Sequence, residues 1–316
     1  MGLLPGAGAA AMATAVVSVA LLLAGRSALA VVWLGLAAVV WLALVAAAAA
    51  QLSRDRARWR AYSATPPALT AVAATAVLGT RLSVGGWRWT AWVLLAVAAW
   101  AWLVLLPRVV RHWRTPTVGA SFLVCVATQG LVVLACTLAL VGEASWLCAP
   151  SLCLFVLGLV GYVIVLARFD LGQLRSGGGD QWVAGGALAI SALACSRLVA
   201  VTSPQGPLRW LTGLHGALAL VDLIVLGLAL AWYAVLVTTE LRWPRLRYDH
   251  RRWSTVFPLG MTATATIAAA SVTDLTWLRL PGELLVWPAL LVWLLVAAGS
   301  GRRMLPARRQ SAAGGA

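Results

Sequence analysis

Charged side chains are scarce in this sequence. Only 10% of its 316 residues are charged, nine of them are acidic, and all 24 basic residues are arginine because lysine is absent. With 62% hydrophobic residues and a mean hydropathy of +0.91, a soluble chain of this length could not bury its apolar surface. The composition therefore excludes an ordinary soluble domain and predicts a protein whose solvent is the lipid bilayer.

The motifs of hydrolytic and metal-dependent enzymes are also missing. The sequence contains no HExxH, no GxSxG, no phosphate-binding Gly-Lys loop and no paired carboxylates inside an apolar run. Its five cysteines form no CxxC or Cys/His spacing, which argues against a zinc site and a disulfide framework. We therefore expect no enzymatic activity, no metal and no cofactor, and we expect the cysteines to act as small buried hydrophobes.

The positions of the arginines indicate that the strong positive charge is a membrane-topology signal. A net charge of +15 would suggest a nucleic-acid partner in a soluble protein, but here the arginines lie in short loops between apolar runs. With the amino terminus placed inside, eighteen of the 24 arginines fall in inner loops and the tail. The pattern predicts a multi-pass protein of the plasma (inner) membrane with both termini in the cytoplasm, a bilayer partner and no nucleic-acid partner.

Ten apolar runs are long enough to cross about 30 Å of hydrocarbon. They are residues 5–23, 28–50, 66–82, 89–106, 118–141, 146–167, 182–200, 211–237, 254–271 and 283–299. No basic residue precedes Arg26, so the first run is expected to be a retained helix and not a signal peptide. The runs predict one all-α transmembrane domain over residues 1–301, followed by a disordered basic cytoplasmic tail over residues 302–316.

Hydroxyl and indole side chains divide between odd and even runs. Serine and threonine concentrate in the odd runs, whereas tryptophan concentrates in the even ones. Small and hydroxylated residues suit close packing or a wet surface, and large amphipathic rings suit lipid contact. We therefore expect five inner and five outer helices, with hydroxyls that line a conduit or, alternatively, bond back to their own helix. The candidate lining residues are Thr14, Ser18, Thr75, Thr128, Ser191, Thr262 and Thr266.

The ninth run carries a candidate gate. Pro258 has no N–H and leaves the carbonyl of Ser254 without its helical partner, which predicts a broken or kinked membrane helix. Gly260 would let a backbone or a solute approach closely. Phe257 sits at the kink, where a large apolar ring could plug a narrow conduit. The alternative is a kinked helix that only packs, with Phe257 as a core residue.

Three ionisable residues lie within or beside apolar runs. Asp222 is the only acidic residue deep in a run, and His215 lies seven positions earlier on the same helix face. The pair predicts a proton relay, or else a polar contact that holds two helices together. Arg197, near the outer end of the seventh run, is a candidate anion site at a pore mouth, or a side chain that reaches the interface.

Four segments resemble the tellurite-resistance and C4-dicarboxylate transporter family, whose relatives include plant slow anion channels, yeast malate permeases and sulfite efflux pumps. They are MATAVVS at Met12–Ser18, VATQ at 126–129, GALAIS at 186–191, and W-x-x-x-F-P-L-G at 253–260. The last segment is the most specific one. The resemblance spans nearly the whole chain.

The resemblance implies a fold and a function. Ten helices would form five hairpins around a quasi-five-fold axis, with odd helices around a pore and even helices outside. Phe257 would hold the pore shut, and the chain could assemble as a homotrimer. The implied function is a channel or transporter for small anions such as a C4-dicarboxylate, sulfite, tellurite, or a halide- or nitrate-like ion. A proton-coupled organic-acid carrier that uses Asp222, or a membrane protein without transport activity, are the alternatives. Two departures are Ala15, where many relatives have Gly, and the polar pair in the eighth run.

Overall fold

A computed structural model describes residues 4–113, 115–142, 144–244 and 249–304. Within these ranges ten helical segments, counted with the 3₁₀ turns that lead into some of them, are long and apolar enough to cross a membrane. We label them α1 to α10. They are α1 Leu4–Leu23, α2 Ser27–Arg54, α3 Thr70–Val84, α4 Arg88–Arg111, α5 Leu123–Gly142, α6 Cys148–Leu166, α7 Val183–Val201, α8 His215–Arg242, α9 Trp253–Val272 and α10 Arg279–Met304.

Each helix coincides with one predicted apolar run, and the differences lie at the ends. The helix α10 continues to Met304, so the first three residues of the predicted tail are helical. The rest of that tail, residues 305–316, lies outside the described residues. A short helix, Arg56–Ser63, joins α2 to α3, and a 3₁₀ turn at Pro66–Leu69 leads into α3.

The odd helices form a closed inner ring. The helices α1, α3, α5, α7 and α9 each pack against the next, and α9 packs against α1. Each even helix packs on the inner helix before it in the chain and on the following inner helix, so that α10 closes the circle on α1. The predicted arrangement of five hairpins in two rings is confirmed.

Burial separates the two rings. Between 72% and 89% of the residues in the odd spans are buried, against 17% to 33% in the even spans. Small residues allow this close packing: a Cβ added at Gly260 would lie 2.8 Å from Cγ1 of Val16, so α9 approaches α1 where no side chain intervenes. The even helices expose large apolar and indole side chains, such as Trp89 and Trp100, as helices that face lipid do.

Candidate functional site

The axis of the inner ring contains a small apolar cavity. All five inner helices contribute to its wall. The lining residues are Val16 and Val19 of α1, Val77 and Thr80 of α3, Val133 of α5, Ile190 and Leu193 of α7, and Met261 and Thr264 of α9.

The wall consists of two layers. In four of the five helices the lining residues are three positions apart, which places them one above the other on one helix face. In α5 the position three before Val133 is Gly130, and a Cβ added there would lie 3.9 Å from Cδ1 of Ile190. Each inner helix therefore contributes one residue position to each layer, as a quasi-five-fold axis requires.

The cavity is nearly filled by its own wall. The volume open to the centre of a water-sized sphere is about 10 Å³, which is about what one water molecule needs. Two threonines, Thr80 and Thr264, are the polar residues of the wall. Both hydroxyls donate to a carbonyl four residues earlier, at 2.9 Å to Ala76 and 2.8 Å to Gly260. The inner ring is thus tightly closed and apolar at this level.

Phe257 is fully buried against α7. A Cβ added at Gly186 would lie 2.7 Å from Cε1 of Phe257 and 2.8 Å from Cγ of Pro258. The missing side chain at Gly186 therefore makes the room that the ring and the proline occupy. Phe257 lies four residues before Met261, so the two side chains share one face of α9. The ring is one turn from the cavity wall.

The ninth helix is not broken at Pro258, which corrects the sequence expectation of an interrupted segment. The helix α9 runs without interruption from Trp253 to Val272 and contains Pro258 in its second turn. The hydroxyl of Thr262 donates to the carbonyl of Pro258 at 2.8 Å. A proline this close to the start of a helix frees one carbonyl, that of Ser254, without ending the helix.

Three of the hydroxyls predicted to line a conduit face the outer ring instead. In each case the indole N–H of a tryptophan on an even helix donates to the threonine oxygen, while the hydroxyl itself donates to a carbonyl four residues earlier. The pairs are Trp293 with Thr14 at 3.0 Å, Trp41 with Thr75 at 2.9 Å and Trp102 with Thr128 at 2.9 Å. These threonines are not part of the cavity wall.

Ser18 and Ser191 also lie outside the cavity wall, at contacts between helices. Ser18 donates to the carbonyl of Ala30 at 2.7 Å and accepts from Nε of Arg81 at 3.2 Å. Ser191 donates to the carbonyl of Ala187 at 2.7 Å and lies 3.5 Å from the thiol of Cys125.

The last two predicted lining residues lie on α9 but not at the cavity. Thr262 bonds to Pro258, and Thr266 donates to the carbonyl of Thr262 at 2.8 Å. Thr266 is also next to Gly282 of α10, where an added Cβ would be 3.3 Å away. The sequence analysis did not predict Met261 and Thr264 as lining residues. Their spacing from Phe257 could have indicated both, since positions i, i+4 and i+7 share one helix face.

The polar pair of α8 holds two helices together. Asp222 is fully buried and its Oδ2 accepts from the hydroxyl of Ser196 at 2.8 Å, whereas Oδ1 has no partner in the described structure. Nδ1 of His215 lies 3.1 Å from the carbonyl of Val199. Both side chains therefore bond to α7 and not to each other, and neither is part of the cavity wall.

Two arginines of the inner helices place charge inside the bundle: Arg81 is buried, and Arg197 is half-buried with a buried Nε atom. Arg81 is 5% exposed and bonds to Ser18, and Nε of Arg197 is buried with no hydrogen-bond acceptor among the described residues. Arg81 and Arg197 lie near the C-terminal ends of α3 and α7. Both helices begin at the opposite side of the bundle, so the two arginines lie near the same side. Buried cations in a membrane protein are costly, and they raise the positive potential on the path of an anion. Arg197 therefore remains a candidate charge site.

Metal ligands are not brought together. Among the residues that the structure describes, no three His, Cys, Asp or Glu side chains cluster in a way that could hold a metal ion. Four of the five cysteines are buried and all five are free.

Comparison with known proteins places these features in a family. No curated protein matches the chain. The sequence profile of the SLAC1 family, described as voltage-dependent anion channel, matches residues 3–300, which is nearly the whole described structure. This match agrees with the resemblance carried by the W-x-x-x-F-P-L-G segment and with the ten-helix, two-ring architecture. The chain therefore belongs to the SLAC1 family of voltage-dependent anion channels, a family of multi-pass membrane proteins that transport anions.

Proposed function

We propose that this chain conducts a small anion through the inner ring and that Phe257 closes the path. The observation that carries the proposal is the position of Phe257 on the face of α9 that continues into Met261 and Thr264, both of which line the axial cavity. An aromatic ring one turn from an apolar constriction excludes water and hydrated ions from the axis. Movement of this side chain would open the path next to Gly186, one turn from the cavity wall.

The charge distribution favours an anion over a cation. Arg81 and Arg197 place two positive charges near one end of the inner ring, and the loops at the other end carry most of the remaining arginines. The net charge of +15 raises the local concentration of anions at both mouths. The proposed substrates are those of the family resemblance, namely a C4-dicarboxylate, sulfite, tellurite, or a halide- or nitrate-like ion.

Location and assembly complete the proposal. The side of the bundle that carries the Arg56–Ser63 helix is the arginine-rich one, so we place it and both termini in the cytoplasm. We place the protein in the plasma (inner) membrane, and we propose that it assembles as a homotrimer. Labelling of single cysteines introduced into the loops, carried out on intact cells with a membrane-impermeant reagent, would test the topology, and mass photometry of the purified protein would test the trimer.

The gate is tested by replacing Phe257 with alanine. Phe257→Ala removes the ring and leaves an opening next to Gly186, so we expect anion flux in reconstituted liposomes to rise at least about tenfold, a barrier change of about 1.4 kcal/mol. Phe122→Ala is the matched control, because Phe122 is equally buried but packs on Tyr162 and Phe169, away from the cavity wall.

The outcome decides the role of the ring. If Phe257→Ala is folded and conducts like the wild type, or if Phe122→Ala raises the flux equally, Phe257 is a packing residue and the gate assignment fails.

A proton-coupled carrier is the second candidate function, and one observation favours it. The carboxyl of Asp222 is buried in a spanning helix and one of its oxygens has no partner among the described residues. An ionisable group at this depth is a functional suspect. The location of Asp222 argues against the carrier function, since Asp222 bonds to Ser196 at the contact between α7 and α8 and is not part of the cavity wall.

A further inference from the structure

A large basic pocket lies apart from the axial cavity. It has a volume of about 790 Å³ and opens between the Arg56–Ser63 helix, the end of α4 and the start of α5. Its wall includes Arg60, Arg108, His112 and Trp113, together with the hydroxyl-bearing Ser121. The wall contains no acidic residue within the described structure. The volume is ample for a phosphate-bearing headgroup.

The two arginines of this pocket have no acidic partner among the described residues. Among the residues that the structure describes, the arginine salt bridges involve Arg251, Arg252 and Arg279, and neither Arg60 nor Arg108 takes part in one. Both side chains are exposed, and both line the pocket. Two uncompensated guanidinium groups in one concave site attract an anion, and their planar donors match the oxygens of a phosphate.

The short helix beside the pocket has the composition of a membrane-surface segment. Its sequence RARWRAYS alternates arginine with small and aromatic residues, and the rings of Trp59 and Tyr62 are 6.3 Å apart. The hydroxyl of Tyr62 donates to the carbonyl of Pro67 at 3.3 Å, and burial raises the pKa of Tyr62 to about 12, despite a hydrogen bond with Thr70. Tyr62 therefore ties this helix to the 3₁₀ turn that leads into α3, and tyrosine and tryptophan are enriched at the headgroup level of membranes.

The pocket wall also contains a hydrogen-bond donor that has no acceptor among the described residues. The indole N–H of Trp113 is buried and has no acceptor among the described residues. A buried donor without an acceptor is costly, and an acceptor oxygen supplied by a ligand would remove the cost.

We propose that this pocket binds a phosphate group, held by Arg60 and Arg108 at the membrane surface. The position beside an interfacial helix favours the headgroup of an anionic phospholipid as its source. The pocket wall includes Pro66 and Ser121, which belong to the 3₁₀ turns that lead into the inner helices α3 and α5. An occupied pocket thus ties the interfacial helix to the entrance of two inner helices.

The test measures lipid binding and does not require transport activity. Delipidated protein in detergent is titrated with phosphatidylglycerol or with phosphatidylcholine, and bound lipid is counted by native mass spectrometry. We compare the wild type with R60Q/R108Q and with the control R88Q/R209Q, which removes the same charge from exposed arginines; Arg88 lies at the opposite end of α4 from Arg108. We expect R60Q/R108Q to bind phosphatidylglycerol at least about tenfold more weakly, since both guanidinium groups that face the anionic headgroup are lost.

A competition measurement distinguishes a lipid headgroup from a soluble phosphate compound as the ligand. Competition by soluble glycerol 3-phosphate at equal concentration would identify a soluble phosphate compound as the source and would support the phosphate site itself. Unchanged binding by R60Q/R108Q, an equal loss in R88Q/R209Q, or equal binding of phosphatidylcholine would overturn the proposal. Because both altered arginines are exposed, unfolding is not expected, and circular dichroism checks it.

Discussion

The indole N–H of Trp293 donates to the hydroxyl oxygen of Thr14 at 3.0 Å, which joins the last helix of the chain to the first. Two further tryptophan–threonine bonds repeat this contact between an outer helix and the next inner one. Each threonine lies two positions before the first cavity layer of its helix, at Val16, Val77 and the Gly130 position. The bonds therefore form a partial belt at one level around the inner ring.

The belt is incomplete because of residue type. The corresponding positions in α7 and α9 are two residues before Ile190 and Met261, and they hold Leu188 and Leu259. Leucine has no acceptor for an indole N–H. At this level the tryptophan–threonine bonds therefore join the outer ring to α1, α3 and α5 but not to α7 and α9, and α9 is the helix that carries Phe257.

Replacing Trp293 with phenylalanine tests the energy of this contact. The ring contacts with Trp33 and Trp253 are largely kept, but the N–H is lost. We expect the free energy of unfolding in detergent to fall by about 0.6 kcal/mol and by no more than about 1.7 kcal/mol, as for other hydrogen bonds between membrane helices. Chemical denaturation followed by fluorescence measures the change.

The double variant with Thr14→Val shows whether the bond itself matters. If it does, Trp293→Phe and Thr14→Val are not additive. Trp100→Phe is the control, because Trp100 is 67% exposed on the lipid side of α4. An equal loss of stability in the control would show that the indole contributes through the bilayer and not through Thr14.

The division of residue types between spans was enough to predict the two rings. Odd runs rich in serine and threonine and even runs rich in tryptophan correctly identified the buried and the lipid-facing helices, because lipid selects large side chains and close packing selects small ones. The Phe257 gate stays a prediction.

The face of each inner helix could not be predicted from the hydroxyls. Thr14, Thr75 and Thr128 satisfy their own protons within the helix, so the same residue type can face an outer helix, a neighbour or a cavity. The inner helices are apolar on every side, which leaves no hydrophobic periodicity to indicate the axis. The position of Phe257 would have given the face of α9 that lines the cavity, because Met261 and Thr264 lie four and seven residues after it.

Gly186 provides a second test of the ring position. In Gly186→Ala the new methyl group would lie 2.7 Å from Cε1 of Phe257, so the ring must shift. We expect a change in anion flux of at least about threefold in liposomes, or about 0.65 kcal/mol in the barrier. Gly216→Ala is the matched control, since nothing lies within 4 Å of a Cβ added there. A folded Gly186→Ala protein with wild-type flux would mean that this contact is unrelated to conduction.

Asp222 separates the two candidate functions. In Asp222→Asn the amide oxygen still accepts from the hydroxyl of Ser196, so the contact between α7 and α8 survives, while the titratable group is removed. Because Asp222 is not part of the cavity wall, we expect anion flux in liposomes to keep its magnitude and its pH dependence.

Asp222→Leu is the companion variant for that measurement. Leucine removes the acceptor and leaves the buried hydroxyl of Ser196 without its partner, so we expect lower thermal stability with the same flux per folded protein. A pH dependence that disappears in Asp222→Asn would instead assign proton coupling to this carboxyl. Such a result would favour the carrier over the channel, because protonation of a buried carboxyl on the contact between α7 and α8 would then be coupled to conduction, either by moving the inner helix α7 or by changing the potential along the axis.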